Sequence, residues 1–190
     1  MTYVFIDFAN SELYDGQGNL EDRLLDASWR SAFLERWGMV EFGPLDGIAL
    51  EALAELRSAI RSVVEGLRAG RRPTKRDLKC LNDALAVSPV RFELVGHGDR
   101  PELNEVSTAA DGMQSVAGAI ALSTARFLAA GELDRLKVCD NAGCRWVFHD
   151  DTKNRSRRWC GPCGNVDKVR RFRERQVLQS RPGRADGQAT

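Results

Sequence analysis

The chain has 190 residues, an ordinary apolar fraction (43%) and a formal net charge of +1, which suits one main domain with a small appendage better than two full domains. No run approaches the roughly 18 apolar residues of a membrane span, and no signal-peptide pattern opens the chain. A reducing cytoplasm is the expected location, where paired cysteines bind metal or do redox work.

The opening YVFIDFAN, β-branched and aromatic, reads as a short strand or extended segment, followed by the polar loop YDGQGNLED. Helix-like spacing of Leu24, Leu25, Ala27, Trp29, Phe33, Leu34 and Trp37 predicts a helix across 22–38, stopped at Gly38. Residues 48–69 form a strong amphipathic pattern, broken by GRRP. Thr74 then caps a shorter helix, with Asp77 placed for a capping box. Two extended pieces flank Gly96-His97-Gly98-Asp99 and predict a β-hairpin with His97 solvated at its tip. Residues 109–130, rich in small apolar side chains, predict a central helix ended by Gly131. Cys80, among Leu78, Leu81 and Leu85, reads as an inert core residue. The last ten residues read as a frayed tail.

Cys139, Cys144, Cys160 and Cys163 carry the sharpest chemical signal. They read C-x4-C, fifteen residues, C-x2-C, the spacing of a closed tetrahedral zinc site. Four thiolates leave no position for water, so one structural Zn2+ is expected. His149 lies between the pairs and becomes superfluous as a ligand, which makes it a surface or second-sphere residue. A helix is expected after the last pair, and the ligands from a knuckle and a helix start suggest a treble clef or ribbon. The short linker between 131 and 138 should hold this module against the body.

Charge is distributed unevenly. From residue 139 onward there are 12 Lys and Arg against 6 Asp and Glu, while the first 138 residues carry 16 against 21. Arg155, Arg157, Arg158, Lys168, Arg170, Arg171, Arg173 and Arg175 gather beside Trp159 and along the expected helix, a pattern suited to nucleic-acid phosphates. A salt-bridging surface against the acidic body is the plainer alternative.

The run CDNAGCRWVFHDDTKNRSRRWCGPCGNVDKVRRFRER resembles the CGNR zinc finger, with Cys-Gly-Asn at 163–165, Arg-Arg-Trp-Cys at 157–160 and Cys-Arg-Trp at 144–146. It departs from the family motif at Val166, where the motif ends in Arg, and in the short Gly161-Pro162 gap. In that family the finger follows an ABATE domain, and Asp7-Phe8-Ala9-Asn10 resembles the ABATE opening. The resemblance implies a bacterial stress-induced transcription regulator that binds DNA through the finger. It further implies an N-terminal domain that senses a small-molecule effector or scaffolds the protein. Because a single finger is usually a weak binder, a homodimer formed through the helical body is a further expectation.

The expected architecture is therefore α+β: a predominantly helical domain with a small β element (1–133), a treble-clef or ribbon-like finger with its basic helix (134–178), and a flexible tail (179–190). Asp7, Asn10, Arg23, Trp29 and Trp37 are candidates for an effector pocket, with core packing and turn capping as their alternative roles. A protein–protein interaction module without DNA binding is the competing function. No nucleophile–base pair, phosphate loop or open-coordination metal motif points to an enzyme.

Overall fold

A computed structural model describes residues 3–15, 19–39, 45–109 and 111–179. Among these residues, six α-helices and three two-stranded antiparallel sheets follow in the order α1 (Val4–Ala9), β1 (Glu12–Tyr14), β2 (Leu20–Asp22), α2 (Ala27–Arg36), α3 (Gly47–Arg68), α4 (Lys75–Ala86), β3 (Val90–His97), β4 (Arg100–Ser107), α5 (Gly112–Ala130), β5 (Leu136–Val138), β6 (Val147–His149) and α6 (Gly161–Gln179). The N-terminal region is mostly helical, and a small β/helix unit bearing the cysteines follows it.

Local chemistry sets the helix ends. Asp46 caps α3 through the Ala49 amide at 2.8 Å, and Asp111 caps α5 through the Gln114 amide at 2.8 Å. Thr74 and Asp77 complete the expected capping box on α4. Gly131 ends α5 with φ +79°, and Gly38 follows α2 with φ +59°, both in the left-handed region open to glycine.

The core is built on α3 and α5. Leu53, Leu56, Ile60, Val63 and Val64 of α3 pack with Val116, Ile120, Ala121 and Phe127 of α5, and α1 is driven into the same cluster. Residues 4–9 are thus a helix and not the expected strand: Val4, Phe5, Ile6, Phe8 and Ala9 are all buried, and a six-residue run whose one polar side chain is Asp7 is too short to separate a helical from a strand period. The polar stretch after Asn10 is likewise not a plain loop, because β1 and β2 pair with Leu13 opposite Glu21.

The finger shares this core. Leu136, Val138 and Val147, from the β5–β6 hairpin, belong to the same buried cluster as α3 and α5. Of the expected flexible tail only residue 179 is described, where it closes α6, and residues 180–190 and the His97 side chain lie outside the described set.

Candidate metal centre and basic helix

The four cysteines come from two tight pieces of backbone. Cys139 follows β5 directly, and its amide donates to the Trp146 carbonyl at 2.8 Å, which closes the hairpin. Between them the chain turns through Asn141, whose Oδ1 accepts the Gly143 amide at 3.1 Å and whose carbonyl accepts the Cys144 amide at 2.9 Å. Arg145 carries the chain out of the knuckle with φ +49°. Cys160 and Cys163 sit at the start of α6, with Pro162 in the first turn, where its missing N–H costs nothing. A hairpin knuckle facing the first turn of a helix is the treble-clef arrangement.

Cys139, Cys144, Cys160 and Cys163 offer Sγ atoms that all lie within 4.8 Å of one another, and none is disulfide-bonded. Cys144 Sγ and Cys160 Sγ are 3.7 Å apart, against about 3.8 Å between two corners of a tetrahedron with bonds of about 2.3 Å. Four thiolates this close repel strongly unless a cation sits among them. Burial pushes the Cys144 thiol up to about 11 and the Cys160 thiol higher still. Burial also opposes ionisation of Cys163, but hydrogen bonds from Asn141 and the neighbouring thiols outweigh it and bring that thiol below its ordinary value. The Asn141 amide reaches Cys163 Sγ at 3.4 Å. The donor set fits a metal ion, and Asn141 is an outer-sphere support that spacing alone did not reveal.

His149 corrects its expected role. It stands apart from the cysteine group, as expected, but is half-buried and not simply a surface residue: its ring packs edge-on against Tyr3 at 5.4 Å and Phe127 at 6.0 Å. Both ring nitrogens are buried without a hydrogen-bond partner, and burial lowers its pKa. Asp150, the next residue, is fully buried and organises the finger loop. Its Oδ1 accepts from the Thr152 amide (3.0 Å) and hydroxyl (2.6 Å), and its Oδ2 accepts from the Arg157 amide at 2.8 Å.

Most of the basic residues meet acids. Arg155 pairs with Asp134, Arg157 with Asp151 at 3.4 Å, and Arg158 with Asp140 at 2.7 Å. Arg170 and Arg171 both reach Asp167 at 2.8 Å. Trp159 is flanked by the guanidinium groups of Arg158 (5.0 Å) and Arg171 (5.3 Å). Among the described residues no carboxylate pairs with Lys168, Arg173 or Arg175. From 165 to 176 every side chain of α6 except that of Asp167 is exposed, including Val166, Val169 and Phe172.

Among the described residues, each of the five pocket candidates has its own local partners, and of the five only Trp29 lines one of the cavities found, beside Phe8 and Phe33. Asp7 accepts from Arg36 at 2.8 Å and from the Trp37 indole at 2.9 Å. Trp29 stacks on Phe33, Arg23 pairs with Glu21, and Asn10 is buried against Val147. A groove of about 800 Å³ lies elsewhere, among α3, α4 and α5, lined by residues such as Glu55, Ser58, Cys80, Ala84 and Met113. Burial raises the Cys80 thiol, in keeping with an unreactive packing residue.

The fold and site define a class: a helical domain continued by a four-cysteine, metal-binding finger. Residues 4–131 match the ABATE family model, whose description is "Putative stress-induced transcription regulator", and residues 135–176 match that of the CGNR zinc finger. The chain belongs to the ABATE family, with a CGNR finger on its C-terminal side, and is a regulatory protein rather than an enzyme. None of the curated proteins compared with the chain matches it. Among the described residues no helix is long and apolar enough to cross a membrane.

Proposed function

We propose that this protein is a bacterial, cytoplasmic transcription regulator that binds DNA through its finger and the helix α6. The observation that carries this reading is α6 itself: a cationic helix rooted in the metal centre and exposed from residue 165 to 176 except at Asp167. Lys168, Arg173 and Arg175 lack carboxylate partners among the described residues, so they can meet phosphates without first breaking an ion pair. Asp167 holds Arg170 and Arg171 on the same helix, where they add to the field.

The metal in this reading is Zn2+, held by Cys139, Cys144, Cys160 and Cys163. A soft, closed, four-thiolate set favours zinc over oxygen-loving cations, and such a site is structural. A reducing cytoplasm keeps the thiols available. The groove among α3, α4 and α5 supports an effector-sensing role for the N-terminal domain.

A second reading has one observation in its favour. Arg155, Arg157 and Arg158 are each engaged by an aspartate, as expected of a finger that docks on protein. Binding of the zinc-loaded full chain to duplex DNA across a salt series separates the two. Affinity that falls steeply with salt, and a shallower slope when Lys168, Arg173 and Arg175 are changed to Ala, supports DNA binding. No binding at low salt removes it and leaves the protein-docking finger.

A further inference from the structure

The β3–β4 hairpin projects from the helical body with its apolar face uncovered. Phe92 is 57% exposed, Leu94 74% and Leu103 63%, and the register places Leu94 opposite Leu103 on that face. A lone two-stranded hairpin of this kind is marginal in water. Its ties to the body lie near the base: Ser88 Oγ meets Ser107 Oγ at 3.1 Å, and Arg126 of α5 pairs with Glu105.

The two free edges differ. Residues 98 and 99 form a two-residue turn, with Gly98 at φ +62°, so His97 and Arg100 are a hydrogen-bonded pair and the pairs alternate from there. The amides and carbonyls of Val90, Phe92 and Leu94 consequently point away from β4. On β4 the corresponding outward position is held by Pro101, which has no N–H, and Glu102 stands beside it; these are the devices that block an edge. The β3 edge has no proline, and its charges, Arg91 and Glu93, are of opposite sign, so they do not repel a second copy of the same strand.

We propose that β3 is a homodimerisation edge, pairing antiparallel with β3 of a second copy about a two-fold axis at Phe92. The segment Val90-Arg91-Phe92-Glu93-Leu94 is self-complementary about its centre. In this register Phe92 lies opposite Phe92 of the other copy, and Val90 lies opposite Leu94. These are the residues whose backbone groups point outward, so the ladder is satisfied across the axis. Arg91 falls opposite Glu93 in both directions. In the single chain these two side chains pair with each other at 2.7 Å; in the dimer each gains its opposite number across the strands. A shift of the axis by one residue places Arg91 against Arg91, or Glu93 against Glu93, which is unfavourable. The charge pattern therefore selects one register as well as permitting it. The product is a four-stranded antiparallel sheet with an isologous interface, and it presents two fingers on one assembly.

The test is sedimentation velocity of the zinc-loaded full chain from low to high micromolar concentration, with three variants. The wild type is expected to approach twice its 21.1 kDa mass. Glu93→Arg, which sets like charges across the axis, should weaken the dimer by about tenfold or more. The exchange Arg91→Glu/Glu93→Arg restores complementarity and should restore the dimer. A mixture of the single variants Arg91→Glu and Glu93→Arg should associate with each other better than either does with itself. Circular dichroism and the unfolding midpoint check that each variant is folded. A wild type that stays monomeric at high concentration overturns the proposal, as does a Glu93→Arg dimer of unchanged affinity or a folded double exchange that fails to recover.

Discussion

The Asn10 side chain donates Nδ2–H to the Val147 carbonyl and accepts the Val147 amide at Oδ1, both at 2.8 Å. A side-chain amide at the end of α1 thus supplies both backbone groups of a β6 residue with partners, across 137 residues of sequence. The same seam is reinforced from α3. Arg61 donates to the Ala9 carbonyl at 3.0 Å and the Arg145 carbonyl at 3.3 Å, Arg145 pairs with Glu65, and Arg68 pairs with Asp140 at 2.6 Å.

Replacing Asn10 with Ala leaves two buried backbone groups without partners, each worth about 1–3 kcal/mol. The metal-loaded protein should lose about 2–5 kcal/mol of unfolding free energy by denaturant titration. Asn10→Asp keeps the acceptor but turns a carboxylate oxygen toward the Val147 carbonyl, so it should not rescue.

Metal removal should reach well beyond the finger. Because Leu136, Val138 and Val147 are part of the main core, binding free energy at the cysteines is also folding free energy for the body. Metal analysis should give one zinc per chain. A strong chelator should expose four thiols to a thiol reagent beyond Cys80, reduce the helical signal of α6 and lower the melting temperature by about 10 °C or more.

Asp22 sets a pH dependence far from the thiols. Arg57 donates to its two oxygens at 2.6 and 2.7 Å, and this hydrogen bonding, opposed by partial burial, holds the Asp22 carboxyl below its ordinary value. A depressed folded pKa means that the stabilisation is complete above the unfolded carboxylate range near about 4 and is lost as pH falls through the lower folded value. Asp22→Asn should therefore be less stable than wild type at neutral pH, with the gap closing under acid. Arg57 is buried, so its truncation should cost more than that of an exposed arginine.

Gly118 offers a test of packing at the hairpin base. A Cβ there would lie 2.0 Å from Ser88 Cβ and 2.4 Å from its Oγ. Gly118→Ala should destabilise by about 1–3 kcal/mol despite the gain in helix propensity. Pairing it with Ser88→Gly should recover much of that loss in a double-mutant cycle.

What the sequence revealed depended on how locally each feature is encoded. The α3 and α4 helices and the β3–β4 hairpin are legible because their periods, caps and turn residues lie within a few positions. The cysteine cluster is legible because two short spacings define its halves. Residues 4–9 are not, since six residues with one polar side chain, Asp7, suit either backbone. Neither was the role of His149, whose neighbours Tyr3 and Phe127 come from distant segments. The basic run shows the same limit: its composition is visible, but the aspartates that meet Arg155 and Arg158 stand at 134 and 140, outside the cluster. Asn10 and Trp37 suit a pocket and a packing seam equally in sequence, because amides and indoles serve both.

The seam between Arg61 and Arg145 also turns α6 into a pointer. Nineteen residues of helix extend about 28 Å from the cysteines, so a tilt of about 5° at the root sweeps the far end by about 2.5 Å. A small change in the packing of α3 at this seam would therefore be magnified along α6 and would move the far arginines the most.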